Sequence, residues 1–493
     1  MSLIQISHLT FGYDGSCDTI FDDVSLQLDT NWKLGFVGRN GRGKTTFLKL
    51  LLGQYEYRGS ISTSAAFDYF PFEVAQKQRN AVEILQDLAP KCQYWQLQRE
   101  LSLLDVEEEA LWRPFSQLSS GEQTKMLLAA LFLRENHFLL IDEPTNHLDM
   151  PGRKIVSRYL KKKRGFLLVS HDRQFLDDVV DHIMSINRKS ITIERGNFSS
   201  WQENKQKQYA FEQSEHKKLI KQIHSLETAA KTTANWSNQV EKTKVGYQDS
   251  SGNKPDRGYI GHKSAKMMKR SKTIENRIKN AIAEKESLRK DVEKEESLKL
   301  FPLSYHKEVL LELRQAALRY GEIEVFQKLS FSVKRGERVA LQGGNGTGKS
   351  SILKWIAGEE IPLTGQTEKG SGLIISYVNQ DTSHLNGTLK EYAQNEGICY
   401  SLFLAILRKL GFERGQFDKK MQYFSQGQKK KVLLAKSLCQ KAHIYVWDEP
   451  LNFIDVISRM QIEELLLQYQ PTMLFVEHDA VFTKKIATKF VSL

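Results

Sequence analysis

Two glycine-rich segments, 305 residues apart, have the residue types of a phosphate-binding loop. They read GRNGRGKTT at 38–46 and GGNGTGKSS at 343–351. Glycines let backbone N–H groups curl around a phosphate, and the helix that follows adds its positive dipole. The lysine reaches the β- and γ-phosphates, while the next hydroxyl binds Mg²⁺. The predicted nucleotide contacts are Gly38, Asn40, Gly41, Gly43, Lys44, Thr45, Thr46, Gly343, Asn345, Gly346, Gly348, Lys349, Ser350 and Ser351.

Two apolar runs each end in an Asp-Glu pair. Open α/β sheets bind ligands at the carboxyl ends of their strands. We therefore expect Asp142 and Asp448 to hold Mg²⁺, together with the hydroxyls of the two loops. Glu143 and Glu449 are the expected catalytic carboxylates, because each would polarise the water that attacks the γ-phosphate. A helix cap would also explain one such pair, but not two in the same order.

A histidine follows the next apolar run in each half of the chain. These are His171 in VSHD and His478 in VEHD. A single histidine is more often structural than catalytic. The repeated order of the motifs favours the catalytic alternative, in which each histidine contacts the γ-phosphate and positions the attacking water.

The motifs reveal an internal duplication, because every pair of matching segments is offset by 305 to 307 residues. Such a constant offset predicts two copies of one domain, at 1–198 and 306–493. Short apolar runs alternate with helical patterns in both copies. This is typical of an α/β fold with a mostly parallel sheet.

The connector at 199–305 is charged and contains little glycine outside one break. A tip at about 243–262 is rich in Gly, Pro, Asp, Asn and Ser, which form turns. Apolar residues recur at steps of three and four on both sides of this tip, which predicts two helices packed as a long antiparallel hairpin. They are Leu219, Ile223, Leu226, Ala230, Ile274, Ile278, Ala281, Leu288 and Val292, with Lys285 filling one slot.

Composition excludes several classes of protein. With 40% hydrophobic and 26% charged residues, the chain is typical of globular proteins, and no apolar run approaches the roughly 20 residues of a membrane-spanning helix. The start of the chain lacks the features of a signal peptide, so we expect a cytoplasmic protein. Its four cysteines lack metal-site spacing. The net charge of +12 favours a polyanionic partner, although a basic run by itself is often only a solvated surface.

The motifs resemble those of the ABC ATPase family over almost the whole of both copies. Besides the Walker A and Walker B motifs described above, LSSGEQ at 118–123 and FSQGQK at 424–429 resemble its signature. The resemblance implies two tandem ABC-type nucleotide-binding domains of the P-loop NTPase class that bind ATP and Mg²⁺ between them. Each composite site would join the Walker A loop of one copy to the signature of the other. The pairings are Lys44 with Ser425 and Gly427, and Lys349 with Ser119 and Gly121.

Two further positions follow from this resemblance, and one departs from it. Tyr13 and Tyr320 lie where the family stacks an aromatic ring on adenine, although each could equally be a core residue. Gln380 matches the Q-loop glutamine, which would bind the metal and the nucleotide. The aligned residue of the first copy is Phe72. We therefore expect two hydrolytic sites that are unequal.

Two ABC domains joined by a charged helical connector resemble the ABC-F subfamily, and the long tip resembles its Lsa-type antibiotic-resistance proteins. That resemblance implies a monomer that binds the bacterial 70S ribosome at the E site, near 23S rRNA and the P-site tRNA. It would displace lincosamides, pleuromutilins and streptogramin A. A housekeeping ABC-F factor or the ATPase subunit of a transporter are the alternatives. Residues suited to rRNA or the drug site are Trp236, Lys242, Lys244, Tyr247, Lys254, Arg257, Tyr259 and Lys263.

Overall fold

Each copy of the duplicated sequence folds around a parallel β-sheet built from the short apolar runs. The computed structural model describes residues 3–13, 19–146, 148–187, 190–242, 257–289, 298–321, 323–344 and 346–493. Both copies, Met1–Ser199 and Glu295–Leu493, belong to one unit, and Ser200–Lys294 forms a second.

The strands of the first copy form two sheets. Their bounds are β1 Leu3–Gly12, β2 Thr19–Asp29, β3 Lys33–Val37, β4 Arg58–Ser62, β5 Ala66–Phe70, β6 His137–Asp142, β7 Phe166–Val169, β8 His182–Ile186 and β9 Ile191–Arg195. The order β5-β6-β7-β3-β8-β9 is parallel except at β9, and β2-β1-β4 is antiparallel. All four residues of β7 are buried, as expected for a strand covered on both faces.

Helices cover the sheet of the first copy and begin at its functional loops. Their bounds are α1 Lys44–Leu51, α2 Ala81–Leu88, α3 Tyr94–Leu103, α4 Ser120–Phe132, α5 Met150–Lys162 and α6 Arg173–Val179. Short 3₁₀ turns occupy Glu108–Trp112 and Phe115–Gln117. Phe47 and Leu48 of α1 are fully buried in the same core as Leu34 and Phe36 of β3. This packing fixes the start of α1 against the end of β3.

The second unit contains two long helices, α7 Phe198–Lys242 and α8 Arg257–Arg289. The predicted tip is shorter than expected, because residues 257–262 are helical despite two glycines. Residues 243–256 lie outside the described part of the chain, as do the side chains of most of the predicted apolar positions. The antiparallel hairpin therefore stays a prediction, as do the domain boundaries.

The second copy repeats the architecture of the first. Its strands are β10 Phe301–Pro302, β11 Val309–Tyr320, β12 Ile323–Lys334, β13 Arg338–Gln342, β14 Leu363–Lys369, β15 Ile375–Val378, β16 Lys441–Ala442, β17 Ile444–Asp448, β18 Met473–Val476 and β19 Lys489–Ser492. The order β15-β17-β18-β13-β19 is wholly parallel, β12-β11-β14 is antiparallel, and β10 pairs with β16.

The helices of the second copy occupy the corresponding positions. Their bounds are α9 Lys349–Ala357, α10 Leu389–Asn395, α11 Tyr400–Lys409, α12 Gln426–Cys439, α13 Val456–Tyr469 and α14 Ala480–Ile486, with 3₁₀ turns at Arg414–Gln416 and Met421–Tyr423. The predicted α/β fold, present in two tandem copies, is thus confirmed.

Candidate active sites

Both predicted phosphate loops run from the end of a parallel strand into a helix. Gly43 and Gly348 precede α1 and α9 with φ angles of 88° and 85°, in the left-handed region that favours glycine. A Cβ atom on Gly43 would lie 2.6 Å from Ile20, so a larger residue would also clash. The first turn of each helix is therefore free to face a phosphate.

The two loop lysines fold back over their own loops. Lys44 Nζ donates to the carbonyl oxygen of Gly38 at 2.8 Å, and Lys349 Nζ donates to that of Gly343 at 2.9 Å. Burial lowers the pKa of both lysines, and nearby carboxylates such as Glu143 and Glu449 oppose this. Each lysine is a buried cation held by neutral acceptors, ready to exchange them for phosphate oxygens.

The two predicted adenine-stacking tyrosines occupy equivalent positions. The hydroxyl of Tyr13 lies 2.8 Å from Thr46 Oγ1, and the hydroxyl of Tyr320 donates to Ser351 Oγ at 3.0 Å. Both rings are half exposed, at 44% and 45%. A half-exposed ring beside the phosphate loop suits stacking on a base better than a core position, although the role itself stays a prediction.

The acidic pairs lie at the carboxyl ends of β6 and β17, beside the loops. Asp142 Oδ2 accepts hydrogen bonds from Thr45 Oγ1 at 3.0 Å and from the Tyr69 hydroxyl at 3.1 Å. Burial raises the pKa of Asp142, although these two bonds oppose it. The predicted metal-binding aspartate and threonine of the first site are thus in contact.

The equivalent carboxylate of the second site, Asp448, has an environment suited to binding a cation. Both oxygens of Asp448 are buried, and burial raises the pKa of Asp448 to about 6, although a hydrogen bond with the Ser350 side chain opposes this. A buried carboxylate is costly unless a cation or proton compensates it. Mg²⁺ commonly uses only one or two carboxylates and completes its shell with phosphate and water. Asp448 therefore fits the predicted Mg²⁺ site.

Each predicted catalytic glutamate lies close to its predicted histidine. His171 Nε2 is 3.3 Å from Glu143 Oε1, and His478 Nε2 is 3.1 Å from Glu449 Oε1. Both glutamates adopt a left-handed backbone, with φ of 52° and 45°. Their N–H groups nevertheless bond the neighbouring strand at 2.9 and 3.0 Å. The chain therefore leaves each strand with the carboxylate aimed at the site.

The two glutamates differ in their electrostatic environment. Burial raises the pKa of Glu143 to about 8, and the neighbouring Asp142 adds to this. Burial also lowers the pKa of His171 far below its ordinary value, so this pair favours the neutral forms. Burial also raises the pKa of Glu449, but His478, Lys430 and Gln380 together outweigh it, so this pKa is lowered. The predicted inequality of the sites thus has a physical basis in burial.

The first composite site is assembled from both copies. Asn40 in the first phosphate loop donates its backbone N–H to Asp455 Oδ2 at 3.2 Å and its side-chain amide to the Phe453 carbonyl at 2.7 Å. A Cβ atom on Gly427 would lie 2.7 Å from the same amide. Only glycine permits the second signature to approach the first loop this closely.

Two further contacts at this junction were not foreseen from the sequence. Arg39 Nη1 donates to the Lys409 carbonyl at 3.3 Å, and Arg42 forms an ion pair with Glu413 at 3.0 Å. The second loop has Gly344 and Thr347 at the positions of these arginines. Alignment of the two copies would have revealed this difference.

The second predicted combination pairs Lys349 with Ser119 and Gly121. Within the described ranges, Lys349 and Ser350 make no hydrogen bond or ion pair with Ser119 or Gly121. Ser119 instead caps α4 by accepting from the Glu122 N–H at 3.2 Å, as Ser425 caps α12 through Gln428. Asn345 lies outside the described residues. The second composite site therefore stays a prediction.

The Q-loop positions differ as the sequence suggests. Gln380 Nε2 donates to Glu449 Oε2 at 2.8 Å, so this amide is joined to the expected base. Phe72 is 43% exposed and has no group that could make such a bond. The metal and nucleotide roles of Gln380 stay predictions.

Few of the predicted connector residues have described side chains. Trp236 and Tyr259 are exposed at 57% and 66%, and Lys263 is also exposed. Lys244, Tyr247 and Lys254 lie outside the described residues, as do the side chains of Lys242 and Arg257. In the helices of the described ranges, no segment has the length and apolar character required to cross a membrane.

Known proteins resemble this chain over nearly its whole length. The sequence profile described as ABC transporter matches residues 21–146 and 326–452. The ribosome protection protein VmlR of Bacillus subtilis (strain 168) is 29% identical over 96% of this chain and 84% of its own length. The ABC transporter F family member 2 of Arabidopsis thaliana is 24% identical over 99% of this chain and 76% of its own.

A solved structure shares the fold. It is the crystal structure of archaeal ribosomal stalk protein aP1 with the archaeal ribosome recycling factor aABCE1. The matching chain has a TM-score of 0.61 at 19% identity, with 98% of this chain and 87% of that one covered. At this identity the likeness concerns the fold alone.

Proposed function

Since the chain belongs to the ABC transporter family and is an ATPase with two tandem ATP-binding domains, we propose that it binds the bacterial ribosome and protects it from antibiotics. The observation that carries this proposal is the junction of Asn40 with Asp455 and Phe453. It joins the ATP loop of one copy to the other copy, so ATP can control whether the copies stay together. The ABC-F resemblance agrees with the name of the Arabidopsis thaliana relative, and ribosome protection agrees with the name of the Bacillus subtilis relative.

We propose that the two domains work as an ATP-driven clamp. Mg²⁺ bound by Thr45, Asp142, Ser350 and Asp448 would neutralise charge on the β- and γ-phosphates. Glu449, oriented by His478 and Gln380, is placed to polarise the attacking water in the second site. Nucleotide between the copies stabilises the closed form, and hydrolysis removes the γ-phosphate that joins them.

The ribosome is the polyanion that best explains the charge distribution. Between 231 and 279 the sequence has twelve Lys and Arg against four Asp and Glu, within a net charge of +12 for the whole chain. Lys and Arg that neutralise rRNA phosphates release counterions and strengthen binding. Exposed Trp236 and Tyr259 suit stacking on unpaired bases.

In its specific form, the proposal is binding at the E site, beside 23S rRNA and the P-site tRNA. The connector tip would then displace lincosamides, pleuromutilins and streptogramin A from the peptidyl-transferase centre. The protein would act as a cytoplasmic monomer with its two domains paired within one chain. A housekeeping ABC-F factor shares the clamp but would confer no drug tolerance.

Ribosome trapping tests the clamp. The Glu143→Gln, Glu449→Gln double variant retains ATP binding but lacks both proposed bases. We expect it to cosediment with 70S ribosomes in ATP but not in ADP, whereas the parent protein dissociates after turnover. A double variant that stays in the supernatant in both nucleotides would contradict ribosome binding and favour a transporter subunit.

Drug tolerance tests the protective role. Expression in a susceptible bacterium should raise tolerance to lincosamides, and shortening residues 243–262 should abolish it. The shortened variant should still hydrolyse ATP, which controls for folding of the two domains. Unchanged tolerance after shortening would refute a role for the tip, and absence of tolerance in the parent would favour a housekeeping factor.

A further inference from the structure

A buried arginine of the first copy reaches across to the second. Arg173 is the first residue of α6, two residues after His171, and its side chain is only 6% exposed. Its Nη1 donates to Glu463 Oε2 on α13 at 3.2 Å, while Nη2 pairs with Oε1 of the same residue. The Glu463 side chain is 1% exposed. This bidentate, buried geometry differs from a solvent-exposed ion pair, which contributes little.

The same guanidinium approaches the residue that follows the predicted catalytic histidine of the second copy. Its Nη2 lies 3.6 Å from Oδ2 of Asp479, the residue directly after His478. Asp479 is the N-cap of α14, because its Oδ1 accepts the Phe482 N–H at 3.0 Å. Burial opposes ionisation of Asp479, but Arg459 and Arg173 together lower its pKa. Two cations, one from each copy, thus hold this carboxylate.

Arg459 extends the connection to the loop between β17 and α13 of the second copy. Its Nη1 donates to Asp479 Oδ2 at 3.2 Å, and its Nε donates to the Ile454 carbonyl at 2.9 Å. The first copy has the same internal connection, in which Arg153 bonds Asp172 at 3.1 Å and the Leu148 carbonyl at 3.1 Å. In both copies an arginine therefore ties this loop to the residue that follows the predicted catalytic histidine.

Within the described residues, the additional arginine is seen in one direction, from the first copy to the second. Ala480 occupies the position of Arg173 in the second copy, and Ser157 occupies the position of Glu463 in the first. Neither side chain can form an ion pair. The equivalent pair in the reverse direction therefore cannot form.

We infer that Arg173 is a positioning residue for the second ATP site, supplied by the first ATP-binding domain. It fixes Asp479 and the start of α14, and so fixes the direction in which the chain leaves His478. His478 Nε2 in turn lies 3.1 Å from Glu449. The inference rests on the proposed roles of these two residues, and it makes the second site dependent on the position of the first domain.

Hydrogen exchange tests the positioning without relying on catalysis. In Arg173→Ala and in Glu463→Ser, we expect amides of 480–486 to exchange about tenfold faster, because the start of α14 loses its external support. The double variant should show less than the sum of the two single effects, since both changes break the Arg173–Glu463 pair, although Arg173→Ala also removes the approach to Asp479 and Glu463→Ser also removes the contact with Lys485. Lys485→Ala is the matched control, because it removes the 49% exposed lysine that also contacts Glu463. Unchanged exchange in both single variants would overturn the inference.

Site-resolved turnover tests the functional consequence. In a Glu143→Gln background, where the second site alone should hydrolyse ATP, both single variants should lower kcat by about tenfold with KM changed less than about twofold. Arg173→Lys should recover part of the loss, and Lys485→Ala should retain the kcat of the background. The fall should be larger than in a Glu449→Gln background. An equal fall in both backgrounds would show a merely structural role and overturn the inference.

Failure of the proposed site roles would be seen separately. If the Glu143→Gln background itself had no turnover, the assignment of independent hydrolysis to the second site would be wrong. The exchange measurement would still decide whether Arg173 positions α14.

Discussion

A buried lysine distinguishes the second site from the first. Lys430 is 2% exposed, and its Nζ donates to the Asn379 carbonyl at 3.2 Å and to the Glu449 carbonyl at 3.1 Å. Burial lowers the pKa of Lys430, and Glu477 is the first of several carboxylates that oppose this. The first copy has Thr124 and Ser170 at the positions of these two charges. The lysine joins the end of β17, which carries the proposed catalytic glutamate, to the Q-loop.

Replacing this lysine should impair the second site specifically. In a Glu143→Gln background, Lys430→Thr should lower ATP turnover by about tenfold, because the two carbonyls lose the group that aligns them. The neighbouring Lys429→Thr change is the control, since Lys429 is only half-buried. Equal ATPase rates for the two variants would contradict a role of Lys430 in aligning Glu449.

Because of Glu477, the free energy of unfolding should fall as the pH rises, whereas most carboxylates have the opposite effect. Burial raises its pKa to about 7 from an ordinary value of 4.5, although Arg459 opposes this. The folded state therefore keeps a proton that the unfolded chain has released between these pH values. Stability from this group is fully present below pH 4.5 and is lost as the pH rises through about 7, at a cost on the order of 3 kcal/mol.

Removing the titrating carboxyl should remove that dependence. Glu477→Gln keeps the size but only one of the two oxygens that accept the N–H groups of Leu451 and His478, so the difference in unfolding midpoint between variant and parent should be several degrees more favourable to the variant at pH 8 than at pH 5. Thermal melts of parent and variant at both pH values measure the difference. A variant that is equally destabilised at both pH values would contradict the buried protonated state.

At this scale, the sequence predicted residues that act within one copy better than residues that act between copies. Lys44, Asp142, Glu143 and His171 were predicted because each follows a strand at a fixed place, and the structure brings them together, although their roles await test. Arg173 was missed because its partners lie about 290 residues away, beyond any local pattern. Its substitution by alanine in the second copy was the available signal.

At the scale of elements, the close approach of α12 to the first phosphate loop depends on one glycine. A Cβ atom on Gly427 would lie 2.5 Å from the Phe453 carbonyl and 2.7 Å from the Asn40 amide. The obstacle includes backbone as well as side chain, so local adjustment cannot remove it. The helix and the loop must therefore separate when a larger residue is introduced.

Gly427→Ala should weaken the ATP-dependent association of the copies and slow turnover at the first site by about tenfold or more. The measurement is ATPase activity in a Glu449→Gln background. Gly415→Ala is the matched control, because no atom lies within 4 Å of the added Cβ there. Comparable activity of both variants would show that α12 does not need this approach.

Elements were predicted where periodicity and motif agree, and missed where propensity misleads. The strands β6 and β17 end at the predicted acidic pairs because continuous apolar runs suit a sheet buried on both sides. The predicted tip extended to about residue 262, whereas α8 already begins at Arg257. Gly258 and Gly261 disfavour a helix by only about 1 kcal/mol each, which a helix of 33 residues can absorb.

At the scale of the whole molecule, the two copies share a fold but contribute different side chains to the contact between them. The first copy contributes Arg39, Arg42 and Arg173 to contacts with the second, whose residues at these positions are Gly344, Thr347 and Ala480. Each of these substitutions removes a group that could reach the partner domain. The duplication predicted two composite sites of unequal activity, and divergence at these three positions gives the two copies different side chains at the contact between them.

The charge of the molecule leads to a prediction about salt. If the basic connector contacts rRNA, ribosome binding should weaken linearly in log–log form as salt rises, with a slope of about one per phosphate contact. Replacing Lys242, Lys244, Lys254, Arg257 and Lys263 by glutamine should reduce this slope by several units and weaken binding at every salt concentration.

Cosedimentation of the trapped double variant with ribosomes from low to moderate salt measures the slope. When the five glutamine substitutions are made in the parent protein, its ATPase rate without ribosomes should be unchanged, since the connector and the two ATP-binding domains belong to separate units. A slope that is identical before and after the substitutions would place the rRNA contacts elsewhere on the molecule. The surplus of positive charge between 231 and 279 would then be only a solvated surface.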